Sequence, residues 1–120
     1  MPWSPITYLN LQNEIREAEK ELSSNLSTFW NFIRIEPEKW NEEGYGEEGN
    51  GFWVVAIMGK QVIWYNDIED GFNVSLYFKY GVIEEYACNQ LPLNIVLLQL
   101  WNRGSNTIFG FQPGTPTSLK

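Results

Sequence analysis

Three stretches of this chain carry residue types at spacings that do chemistry elsewhere, and each fails a different physical requirement. Gly44-Tyr45-Gly46-Glu47-Glu48-Gly49 has the spacing of a phosphate-cradling loop, in which backbone N–H groups surround an anion at the start of a helix. Here the loop leads into a strand-like apolar run, and Glu42, Glu43, Glu47 and Glu48 would set four negative charges around the phosphate. Asn66-Asp67-Ile68-Glu69-Asp70-Gly71 places oxygen ligands ahead of a glycine, as a calcium loop does. With Gly71 in the sixth position, the third falls on Ile68 and the twelfth on Tyr77, so two ligand positions hold the wrong side chains. A turn through Asp70-Gly71 is the expectation. The third resource is paired carboxylates, the acid and base of glycoside hydrolysis. Glu84 and Glu85 are neighbours in a predicted strand and point to opposite faces, while the loop glutamates have no apolar pocket in sequence to raise a pKa.

The chain has no histidine and one cysteine, Cys88. Without imidazole there is no Ser/His or Cys/His nucleophile pair, no ordinary zinc or iron site, and no group that titrates near neutrality unaided. The expectation is a protein that is not an enzyme and holds no cofactor or metal. Cys88 has no partner for an internal disulfide, which makes the cytoplasm the default compartment, and a small bacterial-type protein is the expectation. No run approaches the ~20 apolar residues of a membrane helix, and the N-terminal residues lack a signal-like basic and apolar pattern. Fifteen acidic against eight basic residues give a net charge of -7, which repels phosphate backbones and anionic membranes. Nucleic acid and membrane are therefore excluded as partners, and a basic protein fits.

The elements that must position these residues follow from hydrophobic period. Leu11, Ile15, Ala18 and Leu22 form one stripe among charged residues, an amphipathic helix that starts at Ser4-Pro5 or as late as Asn10 and ends near Ser23 or Ser24. Residues 28–35 alternate with both faces apolar and are predicted as a strand, ended by Glu36-Pro37, with Arg34 paired to Glu84 or Glu85 across the sheet. A Glu/Gly loop follows. Residues 52–58 and 61–66 flank a Gly59-Lys60 turn, 72–78 alternate cleanly, and 82–87 make a further strand. Connections this short exclude parallel crossovers, so the sheet is an antiparallel meander. Asn89 caps a second helix, apolar nearly all round, from Leu93 to Trp101 and stopping at Gly104.

The predicted fold is α+β: one domain over 1–104, an antiparallel meander sheet of about five strands with both helices on one face, and an irregular tail over 105–120. Trp53, Trp64, Tyr65, Tyr77, Tyr80 and Tyr86 exceed what one face of a small sheet can bury, so some face either the second helix or solvent. The expected function is an acidic protein-binding module, for instance an immunity-type inhibitor of a basic protein. Its contact residues are Glu42, Glu43, Tyr45, Glu47 and Glu48 in the loop with Trp64, Tyr65, Asp67, Glu69 and Asp70. Two alternatives are a homo-oligomeric structural module built on the apolar helix, and a small-ligand domain with a pocket between helix and sheet.

Overall fold

Ser23 decides what the first third of the chain becomes. In the computed structural model, which describes residues 4–44 and 50–107, the Ser23 hydroxyl accepts a hydrogen bond from the Leu26 N–H at 3.3 Å and caps helix α2, Ser24–Ile33. The predicted strand over 28–35 is therefore a helix. Leu26, Phe29, Trp30 and Ile33 fall at helical spacing and are buried, while Phe32, off that stripe, is 88% exposed. Residues apolar at both periods leave the choice to the cap. The first helix, α1 (Tyr8–Glu19), is capped by Thr7, not Ser4, and buries the predicted Leu11, Ile15 and Ala18. Its start is delayed because the Ile6 N–H donates to Asp67 and the Ile6 carbonyl accepts from the Trp53 indole, which hold residue 6 extended.

Four strands, not five, form the sheet: β1 (Arg34–Trp40), β2 (Phe52–Met58), β3 (Gln61–Asn66) and β4 (Gly71–Leu76), an antiparallel meander in chain order. Strand β1 runs through Pro37 where a stop was expected. The pairing with β2 is irregular between Arg34 and Glu38, so the missing proline N–H falls where the ladder does not need it. A second irregularity in β2 between Val54 and Ala56 makes Val55 an extra residue, which puts Val55 and Ala56 together on one face. Gly51, at φ 96°, brings the chain back beside Trp40: a Cβ there would lie 2.1 Å from the Trp40 carbonyl oxygen.

The two helices and a third, α3 (Leu93–Thr107), share one face of the sheet. There Leu11, Ile15, Phe29, Trp30, Leu93 and Leu97 pack with Val55, Ile63, Tyr65 and Phe72. Helix α3 begins at Leu93 as expected, with the Pro92 carbonyl accepting from Ile95 and Val96, and it continues past Gly104. It is not buried all round, since Leu98 is 42% exposed. Arg34 pairs with Glu19 at 2.6 Å, not with Glu84 or Glu85, and the same carboxylate oxygen accepts the Trp30 indole N–H.

The opposite face carries Trp40, Phe52, Val54, Val62 and Trp64, and among the described residues no helix covers it. The predicted fifth strand lies over this face as irregular chain. It meets the sheet edges at the Asn41–Val82 and Phe72–Leu91 bridges and through the Glu84 N–H, which donates to the Leu76 carbonyl at 3.1 Å. Its carbonyls are taken by side chains of β3 and β4 instead of a ladder. Asn66 donates to Ala87, Asn73 to Asn89, and Ser75 to Glu85, at 2.7–3.0 Å, while the Asn73 side-chain oxygen accepts the Asn89 N–H. The strap passes so close that a Cβ on Gly71 would sit 2.4 Å from the Gln90 Cα. Asn73→Ala leaves both polar groups of Asn89 unpaired and is expected to cost about 2–3 kcal/mol in urea unfolding; a loss below about 0.5 kcal/mol would show that the strap does not depend on this residue.

Candidate functional site

The ten residues expected to make contacts do not form one surface. Trp64 is 0% exposed, sandwiched near Phe52 and Tyr86 with its indole N–H on the Ser75 hydroxyl at 2.9 Å. Tyr65 packs edge-on to Phe72 under the helices, and burial pushes its pKa up to about 12. Both are core residues, because both faces of the sheet are covered and the aromatic surplus is absorbed by the second one. Asp67 is also buried. Its Oδ2 accepts the Ile6 N–H at 2.7 Å, and its Oδ1 has no hydrogen-bond partner. Glu69 accepts from Gln90 and Asp70 lies in the turn at φ 60°, with Asn66 accepting the N–H groups of Ile68 and Glu69. Tyr45, Glu47 and Glu48 lie outside the described residues.

Glu42 and Glu43 line a hollow. Just past β1, the Asn41 N–H donates to the Gly81 carbonyl and the Asn41 carbonyl accepts the Ile83 N–H, both at 2.8 Å. This bridge fixes Val82, Ile83 and Glu84 against the base of the acidic loop. Glu42, Glu43 and Glu84 then surround an open hollow of about 350 Å³ whose described lining holds no basic side chain. Glu42 is buried and Glu43 and Glu84 are exposed. The turn of Asp67 and Asp70 lies at the same end of the sheet, two to three strands across, roughly 10–15 Å at about 4.8 Å per strand.

Beside the hollow, Glu38 accepts from the Tyr80 hydroxyl at 2.6 Å and the Trp40 indole at 3.0 Å. These bonds to the charged form hold its pKa below the usual carboxylate value, the Tyr80 bond most, and hold the Tyr80 phenol above its own. Tyr80 stacks on Trp40 with centroids 4.8 Å apart, yet Tyr80 and Phe78 remain 61% and 67% exposed. Sequence reasoning missed Glu84, Glu38 and Tyr80 as site residues. The signal was Gly81, whose φ of 92° turns the chain out of β4's direction before Val82.

A separate groove of about 510 Å³ lies at the opposite end of β2, between the outward face of α2 and α3, lined by Phe29, Phe32, Ile33, Met58 and Trp101 with Asn25 and Thr28. None of these carries a charge. Among the described residues no group of acids, histidine or cysteine is arranged to hold a metal ion, and no helix is long and apolar enough to cross a membrane.

No protein-family model, curated protein or solved structure matches the chain. What the site can do is therefore argued from its own geometry. Glu42, Glu43 and Glu84 set acidic side chains around the hollow on backbone fixed by the Asn41 bridge, a lining whose charge is complementary to a cationic group.

Asp67 makes a separate pH prediction. Burial raises its pKa above 3.8, only partly offset by the Ile6 N–H and by Lys39. The folded state therefore binds this proton more tightly than the unfolded chain. Stability from this group is full below 3.8 and falls as pH rises through the raised value. Asp67→Asn, which still accepts the Ile6 N–H, is expected to gain on wild type in urea midpoint between about pH 3 and about pH 7. A constant difference at every pH would show that Asp67 does not titrate abnormally.

Proposed function

We propose that this chain is a protein-binding module that receives a lysine- or arginine-bearing segment of a basic protein in the hollow of Glu42, Glu43 and Glu84. An immunity-type inhibitor is one form such a module takes. The observation that carries the proposal is the hollow itself: the exposed Glu43 and Glu84 beside the buried Glu42, with no basic side chain among the described lining residues, on backbone fixed by the Asn41 bridge. Preorganised carboxylates do not have to be gathered when the cation arrives, so less ordering entropy opposes binding. The exposed ring of Tyr80, next in the chain to Gly81 of the Asn41 bridge, adds the apolar contact that charge alone lacks, and the chain's charge of -7 steers a basic partner toward it.

The test compares two variants that lose the same charge. Glu43→Gln with Glu84→Gln is expected to weaken binding of a labelled octapeptide of alternating Arg and Gly about tenfold at low salt. Glu14→Gln on α1 with Glu21→Gln just past its C-terminal end, both exposed, is expected to leave it nearly unchanged. Equal losses from both pairs would mean that only net charge matters, which overturns the proposal.

The uncharged groove favours a second reading, a homodimer. Copies of a chain with charge -7 repel, and the α2 face is where they can meet, because none of the ten residues of α2 is charged. Phe32 projects beside the groove, so one face offers both a protrusion and a recess, as a two-fold interface requires. Sedimentation at about 100 μM is expected to show a dimer for wild type and a monomer for Phe32→Ser. A wild-type monomer at that concentration overturns this reading.

A further inference from the structure

We propose a second binding site, at the free edge of β4 beneath α3, that takes a short extended ligand carrying a secondary amide and a terminal carboxylate. This site is independent of the acidic hollow and prefers the opposite charge. In an antiparallel ladder, alternate residues turn their N–H and C=O groups toward the partner strand and away from it. The Phe72 N–H points away from β3 and donates to the Leu91 carbonyl at 2.9 Å; the Leu76 carbonyl also points away and accepts from Glu84 at 3.1 Å. Val74 lies midway with the same orientation. Among the described residues no backbone group meets its outward N–H or C=O. The reason lies in the strap: Asn73 and Ser75 draw its carbonyls over the face of the sheet, so it touches the edge on either side of Val74 and leaves that residue uncovered.

A crevice of about 170 Å³ opens there. Its floor is Phe72 and Val74. One wall is Val96, Gln99 and Arg103, which share a stripe of α3 by their spacing of three and four, and Gln61 lines it as well. The described lining contains no carboxylate, in a chain with fifteen of them. The wall from Val96 to Arg103 is about 10 Å long at 1.5 Å per residue, the reach of about three extended residues at 3.3 Å each. An extended ligand laid along β4 pairs its amide with Val74, as a strand added to a sheet edge does. Its small apolar side chain faces Leu91 and Val96. Its carboxylate reaches Arg103, whose guanidinium carries five N–H donors, so the contact Arg103 already holds does not exhaust it. The amides of Gln61 and Gln99 can donate or accept beside it. The volume admits one or two small residues, so the ligand is either a free N-acyl amino acid or peptide, or the C-terminal end of a longer chain.

The probe is N-acetyl-alanyl-alanine, titrated into the labelled protein and followed by amide shifts. A saturable shift centred on Val74 and Gln99 is expected, weakened at least tenfold by amidating the probe's carboxylate or by Arg103→Gln. Arg103 is exposed, so that variant keeps the fold, and its unchanged spectrum verifies this. An octapeptide with the same C-terminal end binding as well as the dipeptide identifies a chain terminus; binding by the dipeptide alone identifies a free small molecule. No saturable shift at Val74 up to about 20 mM, a range that detects any dissociation constant tighter than about 20 mM, overturns the proposal. So does equal binding of the amidated probe.

Discussion

A four-stranded sheet with three helices on one face leaves the other face to be sealed by something else, and here that is chain without regular structure. Irregular backbone laid on an apolar surface brings N–H and C=O groups away from water with no ladder to receive them, and each orphan is costly. Asn66, Asn73 and Ser75 meet that constraint. They sit on the strap-facing side of β3 and β4, where apolar residues would be expected, and bind the strap's backbone across the gap. Everything beneath depends on them: Trp64, Phe52 and Val54 are dry only because the strap stays down.

The same arrangement governs the surface. The strap's bridge to Asn41 sets the wall of the acidic hollow. Its departure from the edge of β4 opens the amide crevice. Acids line the hollow, while the described lining of the crevice holds Arg103 and no carboxylate, and both are shaped by where a single segment touches the ladder and where it does not.

Local signals were legible in the sequence and competing ones were not. The α1 stripe, the Gly59-Lys60 and Asp70-Gly71 turns and strands β2 to β4 came through because pattern and turn residue agree within a few positions. Helix α2 did not, since 28–35 is apolar at period two as well as at helical spacing and the deciding bond comes from Ser23 outside that window. The strap read as a strand because 82–87 has strand composition; the asparagines that replace its ladder lie at least ten residues away in sequence. For the site, Glu42 and Glu43 were found from charge and Glu84 was missed, because only the long-range bridge at Asn41 brings it to them. Trp64 and Tyr65 were misplaced by counting one buried face where the sheet has two.

Gly51 has a consequence for how this protein can diverge. By folding back onto the Trp40 carbonyl it clamps the two ends of the β1–β2 connection next to the last rungs of their pairing, Lys39 with Trp53 and Trp40 with Phe52. The register of β2 is then inherited from that clamp and from the extra residue at Val55, not from the number of residues between. The acidic segment between the strands is free to lengthen, shorten or change its sequence over generations while the sheet beneath it stays in phase.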